Sequence, residues 1–485
     1  MNGHSNGADS SGPVPLWIAG EEVTTDTAFD VVSPSSNKKL WSSSSASPKQ
    51  AVQAVEAAQT ALKTWRKAKP AQIRTILLKA ADILDQRKDE ISRYMMEETG
   101  ALEAFTGFNM TVTAENFRDV AGRAGSTLGA IPSTGTPGQA ALLFKEPYGV
   151  NLAIAPWNAP IILGTRAFLY AIATGNTVVL KGSELCPRTF WALGSIMKEA
   201  GLPDGVLSVI YHRTSDAAEV INTIIEHPHV RKVNFTGSTI TGSIIASKAG
   251  KELKPVLMEL GGKASAIVCE DANLDNAAMQ VALGSFLHAG QICMATERIL
   301  VNRKIIDQFA EALKGASGKV YARDGDAPIL VAKAGVEKNH KLLDDATSKG
   351  AKVLYGDVAA KELSDFRIRP VIISDVKKEM DIYYTESFGP TVSLIAVNSD
   401  EEAIEIANDT EYGLSGAVFT ESLGRGLKIA KEIDSGAIHI NSMSVQYVAS
   451  AAIFRYPADT FDSDEALLPH GGVKKSGWVS TVLAS

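Results

Sequence analysis

The sequence predicts an α/β protein with two doubly wound α/β domains and an extended β-arm. Three observations carry this. Amphipathic helices fill the region between Pro48 and Glu98, short apolar strands alternate with helices from Val150 onward, and the same alternation returns from near Ala264 to Ile440. The 485 residues exceed the roughly 100–200 of one domain, so two or three packed units are expected.

Taken in order, residues 1–12 are polar and rich in Gly and Ser, with no basic or apolar leader region. They read as a flexible tail rather than a signal peptide. AVQAVEAAQTALKTW and ILLKAADILDQR space apolar residues three and four apart, the pattern of helices buried on one face. Residues 126–148 change texture. Gly, Ser, Thr and Pro lead into AALLFKEPYG, which reads as a strand entering a turn. NLAIA, NTVVLKG, VLSVIY and KVNFTG follow as strands, each leading into a helix.

A net charge of −7 argues against a broad nucleic-acid or membrane footprint. Three cysteines, Cys186, Cys269 and Cys293, make no disulfide framework and suit a reducing compartment. No apolar run reaches the roughly 18–20 residues that span a bilayer. Cytoplasmic location is the default expectation, and no metal-ligand set is read.

Five segments carry chemistry. In IAPWNAP (154–160), Asn158 is either a helix N-cap or an amide aimed at an oxyanion. In TVVLKGSE (177–184), Lys181 and Glu184 lie at the carboxyl edge of a buried strand, where open α/β sheets bind ligands. The alternative is a solvated charge pair. FTGSTITG (235–242) has Gly237 and Gly242 for a tight turn and amides near Ser238 for a diphosphate; it is neither a Walker A loop nor G-x-G-x-x-G. In LMELGGK (257–263), Glu259 is a general base tuned by burial, or a structural carboxylate paired with Lys263 or backbone. In HAGQICMATER (288–298), Cys293 follows a flexible Gly290-Gln291 approach. It is a reactive thiol if accessible, and a small core residue otherwise.

Together, from about Phe29 to Ser476, these segments resemble the aldehyde dehydrogenase superfamily. The family's glutamate motif appears as Met258-Glu259-Leu260-Gly261-Gly262 and its cysteine motif as Gly290-Gln291-Ile292-Cys293. Its Glu-x-Phe-Gly-Pro stretch appears as Glu386-Ser387-Phe388-Gly389-Pro390. The resemblance implies an aldehyde dehydrogenase-like subunit. Its parts are an NAD-binding domain (13–125 and 149–260), an oligomerisation arm (126–148), a catalytic domain (261–446) and a C-terminal segment (465–485) returning to the NAD domain.

It also implies a mechanism. Cys293 attacks a small-molecule aldehyde, Asn158 and the Cys293 amide hold the oxyanion, hydride passes to NAD, and Glu259 activates water to release the acid. Ile154, Pro156, Trp157, Lys181, Glu184, Gly237, Ser238, Thr241, Leu260, Gly261, Glu386 and Phe388 match cofactor positions. Glu184 favours NAD over NADP. A homodimer or homotetramer is implied, with no nucleic-acid or membrane partner.

KGSE, WNAPIILGTRA and GQICMATER are similar to the salicylaldehyde, vanillin and benzaldehyde dehydrogenase branch, which implies an aromatic substrate. Asn158, Ile162 and Arg166 are spaced to share a helix face. Arg166 is then either a substrate-side cation or half of a surface or interface ion pair. Ile162, Ile292 and Met294 are the other substrate-side candidates.

Several positions depart from the family pattern. His212-Arg213-Thr214 replaces a Gly-x-Gly turn, and Pro469-His470-Gly471-Gly472 replaces Pro-Phe-Gly-Gly. Residues 447–464 match nothing in the family and read as a poorly ordered loop without a partner surface. The tail after Trp478 reads as foreign and truncated, leaving the arm without its partner strand. An inactive or misassembled chain is the alternative these two features raise. An acylating enzyme using coenzyme A is disfavoured by Glu259.

Overall fold

The computed structural model describes residues 12–126, 129–321, 326–359, 364–445, 452–454 and 470–479. The chain divides into two compact units. One holds the described residues up to Glu98 together with Phe117–Val233; the other holds Thr99–Asn116 and the described residues from Asn234 onward. This boundary follows compactness, whereas the sequence division at residue 260 followed function.

In the first unit, β1 (Leu16–Ile18) and β2 (Glu21–Val23) pair antiparallel, and β3 (Ala28–Val32) and β4 (Lys39–Ser44) form a separate two-stranded sheet. β1 and β2 have three residues each, and AFDVV and KLWSSS are neither apolar runs nor strict alternations, so sequence patterning missed all four. β5 (Val150–Ile154), β6 (Thr177–Lys181) and β7 (Leu207–Ile210) run parallel, and β1 closes onto β7 antiparallel. All three parallel strands are the expected ones. Helix α1 (Pro48–Trp65) starts at a capping box between Ser47 and Gln50, with Pro48 in its first turn. Loss of such a cap costs ~1 kcal/mol. Its Val55, Leu62 and Trp65 are buried on one face, and the Trp65 indole donates to the Ile172 carbonyl at 3.1 Å.

The arm is less regular than AALLFKEPYG suggested. No strand forms among its described residues. A single antiparallel bridge joins Ala130 and Leu143, with amide–carbonyl distances of 3.0 and 2.8 Å. Ile131, Leu142 and Phe144 are exposed beside it.

β8 (Val230–Thr236) spans the boundary between the units in sequence. In the second unit the parallel core of the sheet is built from β10 (Ala264–Val268), β11 (Thr296–Asn302), β13 (Val371–Ser374), β14 (Thr391–Val397), β15 (Ser415–Phe419) and β16 (Ala437–Ile440). β12 (Lys352–Tyr355) pairs antiparallel at one edge. At the other edge lies β17 (Ala452–Phe454), antiparallel to β16 with Ile438 opposite Ile453. These three residues fall inside the segment expected to lack a partner surface, and that expectation fails for them: an open sheet edge offers unpaired amides and carbonyls to any extended chain. The rest of 447–464 lies outside the described residues.

β9 (Val256–Glu259) pairs antiparallel with β18 (Gly477–Val479), placing Gly477 opposite Glu259 and Val479 opposite Leu257. The backbone pairing thus continues one residue past Trp478, where the family-like sequence ends. Residues 480–485 lie outside the described residues. Among the described residues, no helix is long and apolar enough to cross a membrane.

Candidate active site

In the first unit the candidate groups gather at the carboxyl ends of β5 and β6. Ile154 ends β5 and is buried, and Pro156 and Trp157 follow half-buried. The next helix (Pro160–Ala173) has Pro160 in its first turn, but its N-cap is Ala159, without a side-chain cap bond. Asn158 is therefore not the cap. It is buried one residue before the cap, so only Ile162 and Arg166 occupy the helix and its shared face. Arg166 is 5% exposed, which rules out the surface-pair reading.

Lys181 ends β6 and meets Glu184 at 3.1 Å. Burial pushes the Glu184 carboxyl up, but Lys181 and a backbone hydrogen bond outweigh it and the net shift is downward. Past β7, His212 is buried, with its pKa pushed to about 4 by burial and then by Lys181. A neutral ring therefore replaces the Gly-x-Gly turn.

The second unit holds the other motifs. The Gly237 amide donates to the Glu259 carbonyl at 3.0 Å. Ser238 caps the helix Thr239–Lys251, accepting from the Thr241 amide at 3.3 Å. These two local amides are thus engaged within the protein, although Ser238 and Thr241 themselves are exposed. Neither Gly237 nor Gly242 has positive φ, so the tight-turn reason for them is replaced. At Gly242 the reason is contact: a Cβ would lie 2.4 Å from the Leu260 side chain.

Cys293 is partly exposed, whereas Cys186 and Cys269 are buried. Burial pushes the Cys186 thiol far up and the Cys269 thiol to about 12. Only Cys293 meets the access a nucleophile needs. Its approach is strained: His288, Ala289 and Gly290 all have left-handed φ, at 49°, 57° and 73°. For the two non-glycine residues that costs about 1–2 kcal/mol each. The Gln291 side chain braces the turn, donating to the Ile329 carbonyl at 3.1 Å and accepting from the Val331 amide at 2.9 Å. Ile292 and Met294, on either side of Cys293, are buried.

Two close approaches join the three family motifs. A Cβ on Gly262 would lie 2.3 Å from the Cys293 carbonyl oxygen, and one on Gly290 would lie 2.3 Å from that of Gly389. Glycine at both positions lets the backbones of the glutamate, cysteine and Glu-x-Phe-Gly-Pro segments touch. The Gly262 amide also donates to Glu386 at 2.8 Å. Burial, then Glu297, raises the Glu386 carboxyl to about 7. Phe388 is half-buried, at a left-handed φ of 50°.

Glu259 ends β9, is 3% exposed, and lies 3.2 Å from the His470 imidazole. Lys263 is not its partner. That ammonium is buried against Glu297 at 2.6 Å, and Glu297 also accepts from the amides of Ser387 and Phe388 at 2.8 and 3.0 Å. Glu297 therefore clamps the loop bearing Glu386 and Phe388. Sequence reasoning missed it, because nothing in MATER separates it from a surface charge.

The sequence profile described as the aldehyde dehydrogenase family matches residues 17–482. The chain belongs to the aldehyde dehydrogenase family. It is an oxidoreductase acting on aldehydes. A vanillin dehydrogenase of a Pseudomonas species is 39% identical, over 96% of this chain and 94% of that protein. A crystal structure of salicylaldehyde dehydrogenase from Pseudomonas putida G7, complexed with salicylaldehyde, has a TM-score of 0.89 at 35% identity and covers 96% of this chain and 94% of its own. A Staphylococcus aureus betaine aldehyde dehydrogenase in complex with NAD+ has a TM-score of 0.87 at 28% identity, covering 96% and 93%. Nothing in these matches favours an inactive aldehyde dehydrogenase.

Proposed function

We propose that this aldehyde dehydrogenase oxidises an aromatic aldehyde to its carboxylic acid, with NAD as hydride acceptor and a thioester on Cys293. The approach of Gly262 to Cys293 carries the reading, because it brings the glutamate and cysteine motifs together within one unit. The half-open Cys293 thiolate adds to the aldehyde carbon. The Cys293 amide and, on the family pattern, the Asn158 side chain donate to the resulting oxyanion. NAD, when bound, accepts the hydride. Glu259 takes a proton from the water that cleaves the thioester.

Lys181 and Glu184 suit the hydroxyls of an adenosine ribose, and the exposed hydroxyls of Ser238 and Thr241 suit a diphosphate. Ile154, Pro156, Trp157, Gly237, Leu260, Gly261, Glu386 and Phe388 are the remaining cofactor assignments. The aromatic substrate rests on the vanillin and salicylaldehyde dehydrogenases among the relatives. Arg166 is assigned as the buried cation for a ring hydroxyl, and Ile162, Ile292 and Met294 are the remaining substrate-side assignments. The exposed Ile131, Leu142 and Phe144 suit burial against a second copy in a homodimer or homotetramer.

The test is NADH formation from vanillin, salicylaldehyde, benzaldehyde and acetaldehyde by the wild type, Cys293→Ala and Arg166→Leu. Aromatic aldehydes should outrun acetaldehyde, and Cys293→Ala should lose activity by about a thousandfold or more. Arg166→Leu should narrow the advantage of hydroxylated rings. Turnover by Cys293→Ala removes the thioester route, and a preference for acetaldehyde removes the aromatic assignment.

A further inference from the structure

His470 stands where the family pattern has phenylalanine, and a hydrophobic ring there has no polar duty. In this chain the ring is 4% exposed, with its Nε2 3.2 Å from Glu259 Oε2. Neither partner is free to drift. Glu259 ends β9, whose register with β18 sets it opposite Gly477. The Ser476 carbonyl accepts from the Leu260 amide at 2.8 Å, and the Ser476 hydroxyl donates to the Gly261 carbonyl. Beside His470, the Gly471 carbonyl lies against Gly436, where a Cβ would meet it at 1.8 Å, and the Val473 amide donates to Gly413 at 2.9 Å. The segment that carries His470 is therefore laced to the strand that carries Glu259.

We propose that His470 positions Glu259 for deacylation, donating Nε2–H to Oε2 so that Oε1 alone faces the hydrolytic water. The proposal rests on Glu259 being the deacylating base. In the step, a water O–H bond breaks and its proton moves to Glu259 Oε1. The water oxygen bonds to the thioester carbon, the C–S bond breaks, and the Cys293 thiolate leaves with its electron pair. A carboxylate free to rotate in a buried site would spend part of its time in unproductive rotamers, and one fixed hydrogen bond removes them. His439 is the second histidine within electrostatic reach of His470. Burial, then His470, pushes its pKa to about 4, so it remains neutral.

The experiment uses the full chain with NAD and vanillin, following the NADH burst and the steady state of His470→Phe, His470→Gln, Glu259→Gln and Glu259→Gln/His470→Phe. Phenylalanine keeps the ring and removes the donor. Glutamine restores an N–H near the Nε2 position. Burst amplitude counts competent sites, so a partly misfolded variant is still readable. His470→Phe should keep the burst while its steady state slows roughly tenfold, and His470→Gln should recover to within about threefold of wild type. In the Glu259→Gln background, His470→Phe should add nothing, as expected for a residue acting through Glu259. A steady state for His470→Phe within about twofold of wild type overturns the proposal, as does additive loss in the double variant. If Glu259→Gln itself turns over like wild type, the base reading falls and this proposal with it. If Glu259→Gln shows a burst with a slow steady state and His470→Phe does not, only the positioning role falls.

Discussion

The carboxyl edge of β6 in the first unit and the acid cluster of the second unit use the same residue types in opposite surroundings. Lys181 and Glu184 form a partly exposed pair at 3.1 Å, with side chains 12% and 26% accessible. Lys263 and Glu297 form a pair at 2.6 Å, with side chains 0% and 5% accessible. Water reaches the first pair and screens it in part. The second pair is costly to desolvate, so every lone pair must be used, and Glu297 uses them on Lys263, Ser387 and Phe388. A partly wet pair suits contact with a polar ligand, whereas a dry one suits holding a loop in place.

The comparison is broken most severely by Lys263→Ala. It leaves Glu297 buried with only backbone donors, and should cost about 3 kcal/mol, the lower end for stranding a buried charge. Lys181→Ala should cost about 1 kcal/mol or less. Chemical denaturation of both variants reads the difference, and equal losses would mean that burial does not separate the pairs.

A smaller effect should follow from Glu386. Its carboxyl is raised to about 7, so it is largely protonated below that pH and ionised above it. On the cofactor assignment, the ionised form accepts hydrogen bonds from a ribose diol. KM for NAD should therefore rise severalfold as pH falls through about 7. Glu386→Gln should flatten that dependence, and an unchanged profile in the variant would remove Glu386 from the cofactor site.

A separate effect belongs to the carboxyl edge of β6. Glu184→Gln removes the charge that would repel a 2′-phosphate, and should lower the kcat/KM preference for NAD over NADP by roughly tenfold, ~1.4 kcal/mol. An unaltered ratio would show that Glu184 does not read the ribose.

The sequence by itself determined the α/β class, strands β5 to β8, the helices between Pro48 and Glu98, and the identity of three motifs. Apolar period and Gly/Pro punctuation are local signals, and a catalytic motif is a contiguous string. Tertiary structure decided what depends on contacts between distant segments. It left Cys293 partly exposed and buried Cys186 and Cys269, because accessibility is set by everything packed around a thiol. It gave Lys263 to Glu297 rather than to Glu259. It seated residues 452–454 on a sheet edge, though their sequence names no partner. It also turned Pro-His-Gly-Gly from a spelling difference into a 3.2 Å approach of His470 to Glu259, because the β9–β18 pairing holds segments more than two hundred positions apart together. A hydrogen-bond partner is a property of three-dimensional distance, and distance along the chain does not encode it.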